Sequence, residues 1–74
     1  MHEITIYHTN AGPVTDQDEA KRAVEGTGIE IVEAGAFEGN WLAELPTEVS
    51  EPFEEYGYIE MDTQGFEIRG SWSE

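Results

Sequence analysis

Residues 56–72 read YGYIEMDTQGFEIRGSW, and this stretch decides the fold. It contains two runs of β-forming residues, 56–61 and 66–72. Between them stands Asp-Thr-Gln-Gly at residues 62–65, which has the length and composition of a hairpin loop. The pattern therefore predicts two antiparallel strands joined by a short connection. We expect the last residues to fray unless Trp72 packs against the sheet.

A third strand is predicted near the start of the chain. Residues 2–8 read HEITIYH, in which Ile4 and Ile6 alternate with polar neighbours. Period-two alternation with β-branched residues is typical of a half-buried strand. Residues 9–13 read TNAGP, and their Asn, Gly and Pro predict that the strand ends in a turn.

One helix is predicted at residues 16–25. Thr15 offers the hydroxyl of an N-cap, and the acidic residues that follow it face the positive end of the helix dipole. Ala20, Ala23 and Val24 supply a buried stripe. Gly26 is placed to end the helix in the left-handed conformation.

The middle of the chain completes the sheet. Residues 29–33, IEIVE, predict a strand. Residues 41–45, WLAEL, fit a strand or a short helix, and their Gly, Asn and Pro flanks favour a strand. Residues 46–55 contain two prolines, four acids and no apolar periodicity, so we expect a surface loop. The whole chain, residues 1–74, thus predicts one α+β domain: a mostly antiparallel sheet of four to five strands with one helix packed on one face.

Composition limits how this domain is stabilised and where it works. A chain of 74 residues buries only about 60% of the surface that its unfolded form exposes, and without cysteine it has no disulfide or thiolate zinc site. A homodimer would enlarge so thin a core, so monomer and homodimer both stay open. The polar start, MHE, and the absence of a long apolar run predict a soluble, cytoplasmic protein.

Negative charge dominates the surface. Seventeen acids against three bases give a net charge of −14, whereas a magnitude of about 2 to 8 is enough to keep a small domain soluble. Residues 23–68 contain twelve of these acids and no Lys or Arg. Nucleic acid and anionic membranes are repelled by such a surface, so a basic protein surface is the favoured partner.

No arrangement of residues predicts catalysis, a cofactor or a metal. His2 and His8 would lie about 20 Å apart on one strand, too far to share an ion. Asp16 and Asp18 have the spacing that opens a calcium loop but lack its later ligands, and helix capping explains them. None of the serines lies in a Gly-x-Ser-x-Gly elbow. We therefore expect a non-enzymatic role, with an enzyme built on paired carboxylates as a remaining alternative.

The acids on the predicted strands suggest a specific surface. Side chains two residues apart on a strand are about 6.6 Å apart and neighbouring strands about 4.8 Å apart, so glutamates on adjacent strands would form a lattice of carboxylates. Its charge density is of the order of that of duplex DNA, at one charge per about 1.7 Å of axis. Such a lattice would compete with phosphates for a basic channel. The candidate partner-binding residues are Glu30, Glu44, Glu54, Glu55, Glu60, Asp62 and Glu67.

In size, lack of cysteine and acidic excess, the chain resembles the small acidic phage proteins that inhibit bacterial defence, namely anti-CRISPR proteins of the DNA-mimic type and antirestriction proteins. The resemblance covers the whole chain but includes no diagnostic motif. It implies a non-catalytic inhibitor in the bacterial host cytoplasm that blocks the basic DNA-binding surface of a CRISPR type I effector complex. The alternatives are an antirestriction-type DNA mimic with another target, an acidic protein-interaction module and a domain adapted to high salt.

Overall fold

The computed structural model describes residues 2–71, which form a two-layer α+β domain with an antiparallel sheet under two helices. Trp72, whose packing was left open above, lies outside these residues. The strand order is β3-β4-β1-β6-β5, and the short β2 pairs with the end of β1. The elements are β1 His2–His8, β2 Gly12–Pro13, α1 Gln17–Ala23, β3 Glu30–Ala34, β4 Asn40–Glu44, α2 Thr47–Tyr56, β5 Tyr58–Thr63 and β6 Phe66–Ser71.

The predicted hairpin is confirmed, with a tighter turn than expected. β5 and β6 pair up to Thr63 and Phe66, which leaves only Gln64 and Gly65 between the strands. Both have positive φ, 52° and 85°, as a two-residue type I′ turn requires. The predicted four-residue loop therefore shrinks to two residues, and the strands extend into it.

The strand predicted at residues 2–8 is β1, and it lies at the centre of the sheet between β4 and β6. Its Ile4 and Ile6 are completely buried. The strand predicted at 29–33 is β3, with a bulge between Ile31 and Glu33. Residues 41–45, for which strand and helix were both considered, mostly form β4.

The first helix is confirmed in place but is shorter than predicted. It spans Gln17–Ala23, and its N-cap is Asp16, whose carboxylate accepts a hydrogen bond from the Glu19 N–H at 3.1 Å. Thr15, the predicted cap, precedes it. A carboxylate at this position satisfies one of the unpaired N–H groups of the first turn.

The prediction of a surface loop at residues 46–55 is wrong, because α2 forms there and the sheet carries two helices instead of one. Pro46 stands just before the helix, and its carbonyl accepts hydrogen bonds from the Val49 and Ser50 N–H groups. Val49 and Phe53 are four residues apart and both buried, so they anchor one side of α2. Gly57, at φ 81°, ends the helix in the left-handed conformation.

Both helices cover the same side of the sheet. The buried hydrophobic residues form one core between the layers, with Phe53, Ile4, Ile6, Ile68 and Val14 the largest fully buried side chains. The Trp41 indole N–H donates to the Val14 carbonyl at 3.0 Å, so even this polar group is satisfied. Neither helix of residues 2–71 has the length and apolar composition needed to cross a lipid bilayer. The side of the sheet away from the helices is called the open face below.

Candidate functional site

The structure divides the seven predicted partner-binding residues into three groups. All of them are solvent-exposed except Glu67, which is half-buried. The four glutamates expected to form a lattice do lie on the open face, but as two separate pairs. Strands β3 and β4 hold one pair, β6 and β5 hold the other, and β1 runs between them. One continuous lattice across adjacent strands therefore does not form.

The first group is Glu30 and Glu44 at one edge of the sheet. They are directly opposite each other in the β3–β4 ladder. Directly opposed side chains have Cβ atoms about 5 Å apart, and like charges at this distance destabilise a sheet. Neither carboxylate has an ion-pair partner within residues 2–71. The pair is therefore an uncompensated point of negative charge.

The second group is Glu60, Asp62 and Glu67, which surround Arg69 on β5 and β6. The Arg69 guanidinium lies 2.7 Å from Glu67, 3.3 Å from Asp62 and 3.7 Å from Glu60, measured between nitrogen and carboxylate oxygen. Nη1 also donates to the carbonyls of Met61 and Ile68 at 3.2 Å. One base therefore compensates part of the charge of three acids. Sequence reasoning missed this arrangement, because Arg69 lies just beyond the base-free stretch of residues 23–68.

The third group is Glu54 and Glu55, which lie on α2 and not in a loop. Sequence reasoning missed two further acids of the same helix, Glu48 and Glu51. All four are exposed, and Glu51 lies opposite the buried Val49 and Phe53 around the helix. The sequence did contain a signal for this helix. Two apolar residues stand four positions apart, and the acids around them stand three and four positions apart, which is typical of an amphipathic helix.

A groove of about 410 Å³ runs between α2 and β5. Glu48 of the helix and Glu60 of the strand both line it, so the acids of the two elements flank one depression. Tyr56 and Tyr58, which are 67% and 60% exposed, also line this groove. We call the exposed acids of α2 and β5 the acidic edge. It consists of Glu48, Glu51, Glu54, Glu55, Glu60 and Asp62.

The histidines lie apart from the acidic edge, at opposite ends of β1. His8 Nε2 lies 3.1 Å from a Glu19 carboxylate oxygen, and its ring packs 5.0 Å from that of Phe66. The His2 ring lies 5.2 Å from the Phe53 ring. Within residues 2–71, no three His, Asp or Glu side chains are grouped as a metal site would require.

The acidic edge thus offers hydrogen-bond acceptors and negative charge beside a groove that apolar and acidic residues line together. This combination is suited to binding a cationic partner. Comparisons of the chain with protein-family models, with curated proteins and with solved structures found no match.

Proposed function

We propose that this protein is a non-catalytic DNA mimic, which binds the basic nucleic-acid-binding surface of another protein through its acidic edge. The supporting observation is that the charge is displayed on ordered elements. None of the acids of residues 2–71 is buried, and the four on α2 have no ion-pair partner among those residues. A binding surface of this kind needs no reorganisation before it meets a cationic channel.

The spacing of the charges on α2 supports the mimicry in particular. From Glu48 to Glu55 the helix rises about 10.5 Å, at 1.5 Å per residue, and presents four carboxylates. The mean interval is about 3.5 Å along the axis, close to the roughly 3.4 Å per phosphate of one DNA strand. A row of Lys and Arg side chains arranged for one phosphate strand would therefore meet α2 with a similar charge spacing.

The target that we propose is a CRISPR type I effector complex in the cytoplasm of a bacterial host. This part rests on the resemblance in size, missing cysteine and charge to small acidic anti-CRISPR proteins. The alternative is an acidic protein-interaction module whose partner does not bind nucleic acid. The groove beside the acids, which is lined by apolar as well as acidic residues, favours that alternative, because a protein channel that binds phosphates needs no apolar side chain to fill such a groove.

The test is displacement of target DNA from a purified type I effector complex, followed by fluorescence anisotropy of labelled DNA. We expect the protein to displace DNA, and its affinity for the complex to fall steeply as salt is raised from about 50 to 200 mM. The variant Glu51→Lys/Glu54→Lys should lose most of the displacement, since it reverses two exposed charges of α2.

The matched control is Glu33→Lys/Glu38→Lys, which makes the same change in net charge at exposed positions away from α2. It should keep most of the displacement. Equal loss in both variants would mean that only net charge matters and would contradict the acidic edge as the site. Binding to the complex without release of DNA would contradict mimicry and favour the interaction module.

A further inference from the structure

We infer that the outer edge of β5 binds an extended segment of a partner protein, in which apolar and basic residues alternate, as an added strand of the sheet. The inference rests on the proposed function in one respect, the basic character of the partner. It does not require that the partner binds DNA.

The two edges of the sheet are built differently. Edge strand β3 is interrupted by its bulge, and the Val32 carbonyl accepts a hydrogen bond from the Gln17 side chain of α1 at 3.4 Å. Bulges and covered backbone groups are common means of blocking an edge. By contrast, Tyr58–Thr63 pairs with β6 over six consecutive residues without a break, and no strand of residues 2–71 pairs with its other side. The backbone groups of β5 are therefore a template for an added strand.

The groove beside β5 would accept half of the side chains of such a strand. Side chains alternate between the two faces of a sheet, so every second residue would lie on the side of Ile59 and Met61. These two residues line the groove together with Val49 and Pro52 of α2. An aliphatic side chain placed there would leave water and contact an apolar surface. This arrangement requires apolar residues at alternate positions of the segment.

The other side chains of the segment would lie on the open face next to Glu60 and Asp62. Although both acids pair with Arg69, their side chains remain 63% and 73% exposed. Arg69 stands directly opposite Glu60 on the β6 side, which is a cross-strand ion pair within the protein itself. A Lys or Arg of the added strand would take the corresponding place on the free side. This requires basic residues at the remaining positions.

A second copy of the same chain suits this edge poorly. Pairing β5 with β5 would bring Glu60 and Asp62 of both copies together on one face. Like charges on neighbouring strands are destabilising, and each copy also has a net charge of −14. The charge that discourages self-pairing attracts a cationic segment. The occupant is therefore a different protein.

The test uses a blocked heptapeptide in which lysine and valine alternate, titrated into the ¹⁵N-labelled full chain and followed by NMR and amide hydrogen exchange. We expect alternate amides of residues 58–63 to exchange at least about tenfold more slowly in the complex, since strand addition pairs every second edge amide. The Ile59 and Met61 methyl signals should shift. A peptide with the same composition but its lysines and valines in two blocks should bind at least about tenfold more weakly.

Two protein variants distinguish the effect of a charge at the groove from the effect of the overall net charge. Glu48→Lys places a base at the groove, and Glu33→Lys makes the same charge change at the opposite edge strand. We expect Glu48→Lys to weaken peptide binding about fivefold more than Glu33→Lys does, because charges close to a binding site act most strongly. A thermal unfolding curve of each variant verifies that it is folded.

Three results would overturn the inference: equal binding of the alternating and block peptides, no added protection of β5 amides, or protection of these amides without peptide in a dimer seen by sedimentation. Failure of the proposed function gives a different result. In that case the alternating peptide still protects β5, while DNA stays bound to the effector complex. Loss of peptide binding with DNA displacement intact would contradict the edge inference alone.

Discussion

Arg69 is the residue on which the charge distribution of the open face depends most. Within residues 2–71 it is the one base that forms ion pairs with Glu60, Asp62 and Glu67, and its side chain is only 32% exposed. Without it, Asp62 and Glu67 would be like charges directly opposite each other on neighbouring strands. Arg69 therefore holds the β5–β6 hairpin together where its own acids oppose pairing.

We expect Arg69→Gln to lower the free energy of unfolding by about 1–2 kcal/mol at low salt, because several partly exposed ion pairs are lost and three acids are left to repel one another. The loss should shrink at about 0.5 M salt, where exposed charges are screened. Urea unfolding at both salt concentrations measures it. Arg22→Gln, an exposed position on α1 without an ion pair in residues 2–71, is the control with the same charge change. Equal losses in the two variants would refute the role of Arg69.

Gly70 sets how closely α2 approaches the sheet. A Cβ atom at this position would lie 3.0 Å from the Phe53 ring and 3.1 Å from a side-chain carbon of Ile59. Contacts this short force neighbours to move in a packed core. Glycine is required here for space, and not for an unusual backbone angle.

Gly70→Ala should therefore lower the free energy of unfolding by about 1–2 kcal/mol through overpacking. In a double-mutant cycle with Phe53→Leu, the smaller side chain should relieve part of the strain, so the double variant should lose less than the sum of the two single losses. Urea unfolding of the four proteins gives the coupling. If the two single losses in free energy simply add in the double variant, the space at Gly70 is not limited by the Phe53 ring.

At the scale of elements, runs of β-forming residues were enough to predict β1, β3, β5 and β6, and flanking Gly, Asn and Pro indicated β4, whereas α2 and the two-residue β2 were missed. Helix α2 escaped because Pro46 and Pro52 and four acids suggested a loop. Pro46 precedes the helix, where it is tolerated, and Pro52 is exposed inside it. Burial of Val49 and Phe53 outweighs the cost of Pro52, which is a tertiary effect that local propensity does not contain.

The acids of α2 repel one another, so we expect Glu51→Lys to raise the free energy of unfolding by about 0.5 kcal/mol while weakening the proposed binding. Glu51 lies three residues from Glu48 and four from Glu55, and both neighbours become attractive after the change. Glu51→Gln removes the repulsion without adding a charge and should give about half the gain. Urea unfolding measures both. A loss of stability in either variant would show that repulsion among the acids of α2 does not lower the free energy of unfolding.

The sequence could not predict how the candidate site is assembled. Glu30 and Glu44 were correctly expected on neighbouring strands, because consecutive strands usually pair. That β1 would insert between β4 and β6 is a long-range choice, which no local pattern of residues records. The same insertion separates the two glutamate pairs and leaves β5 at the edge. The acidic edge therefore depends on topology, and not only on the number of acids.

For the molecule as a whole, charge repulsion acts across its full width at low salt. The domain measures 30 × 25 × 20 Å, and the Debye length is about 30 Å at 0.01 M but about 8 Å at 0.15 M ionic strength. We expect the free energy of unfolding to rise by about 1–2 kcal/mol between these concentrations and then to level off below about 1 M. Urea unfolding followed by circular dichroism measures this. Stability that keeps rising into molar salt would favour the alternative of a domain adapted to high salt.

The bulge in β3 also limits the size of any assembly that the sheet can join. A protein whose two edge strands are both free to pair can assemble edge to edge into a fibre, but within residues 2–71 only β5 is an edge strand with an uninterrupted row of backbone groups. We therefore expect strand addition to stop after one partner segment has bound, at a stoichiometry of one to one. The interrupted strand thus protects a highly charged molecule against polymerisation while leaving its other flank available.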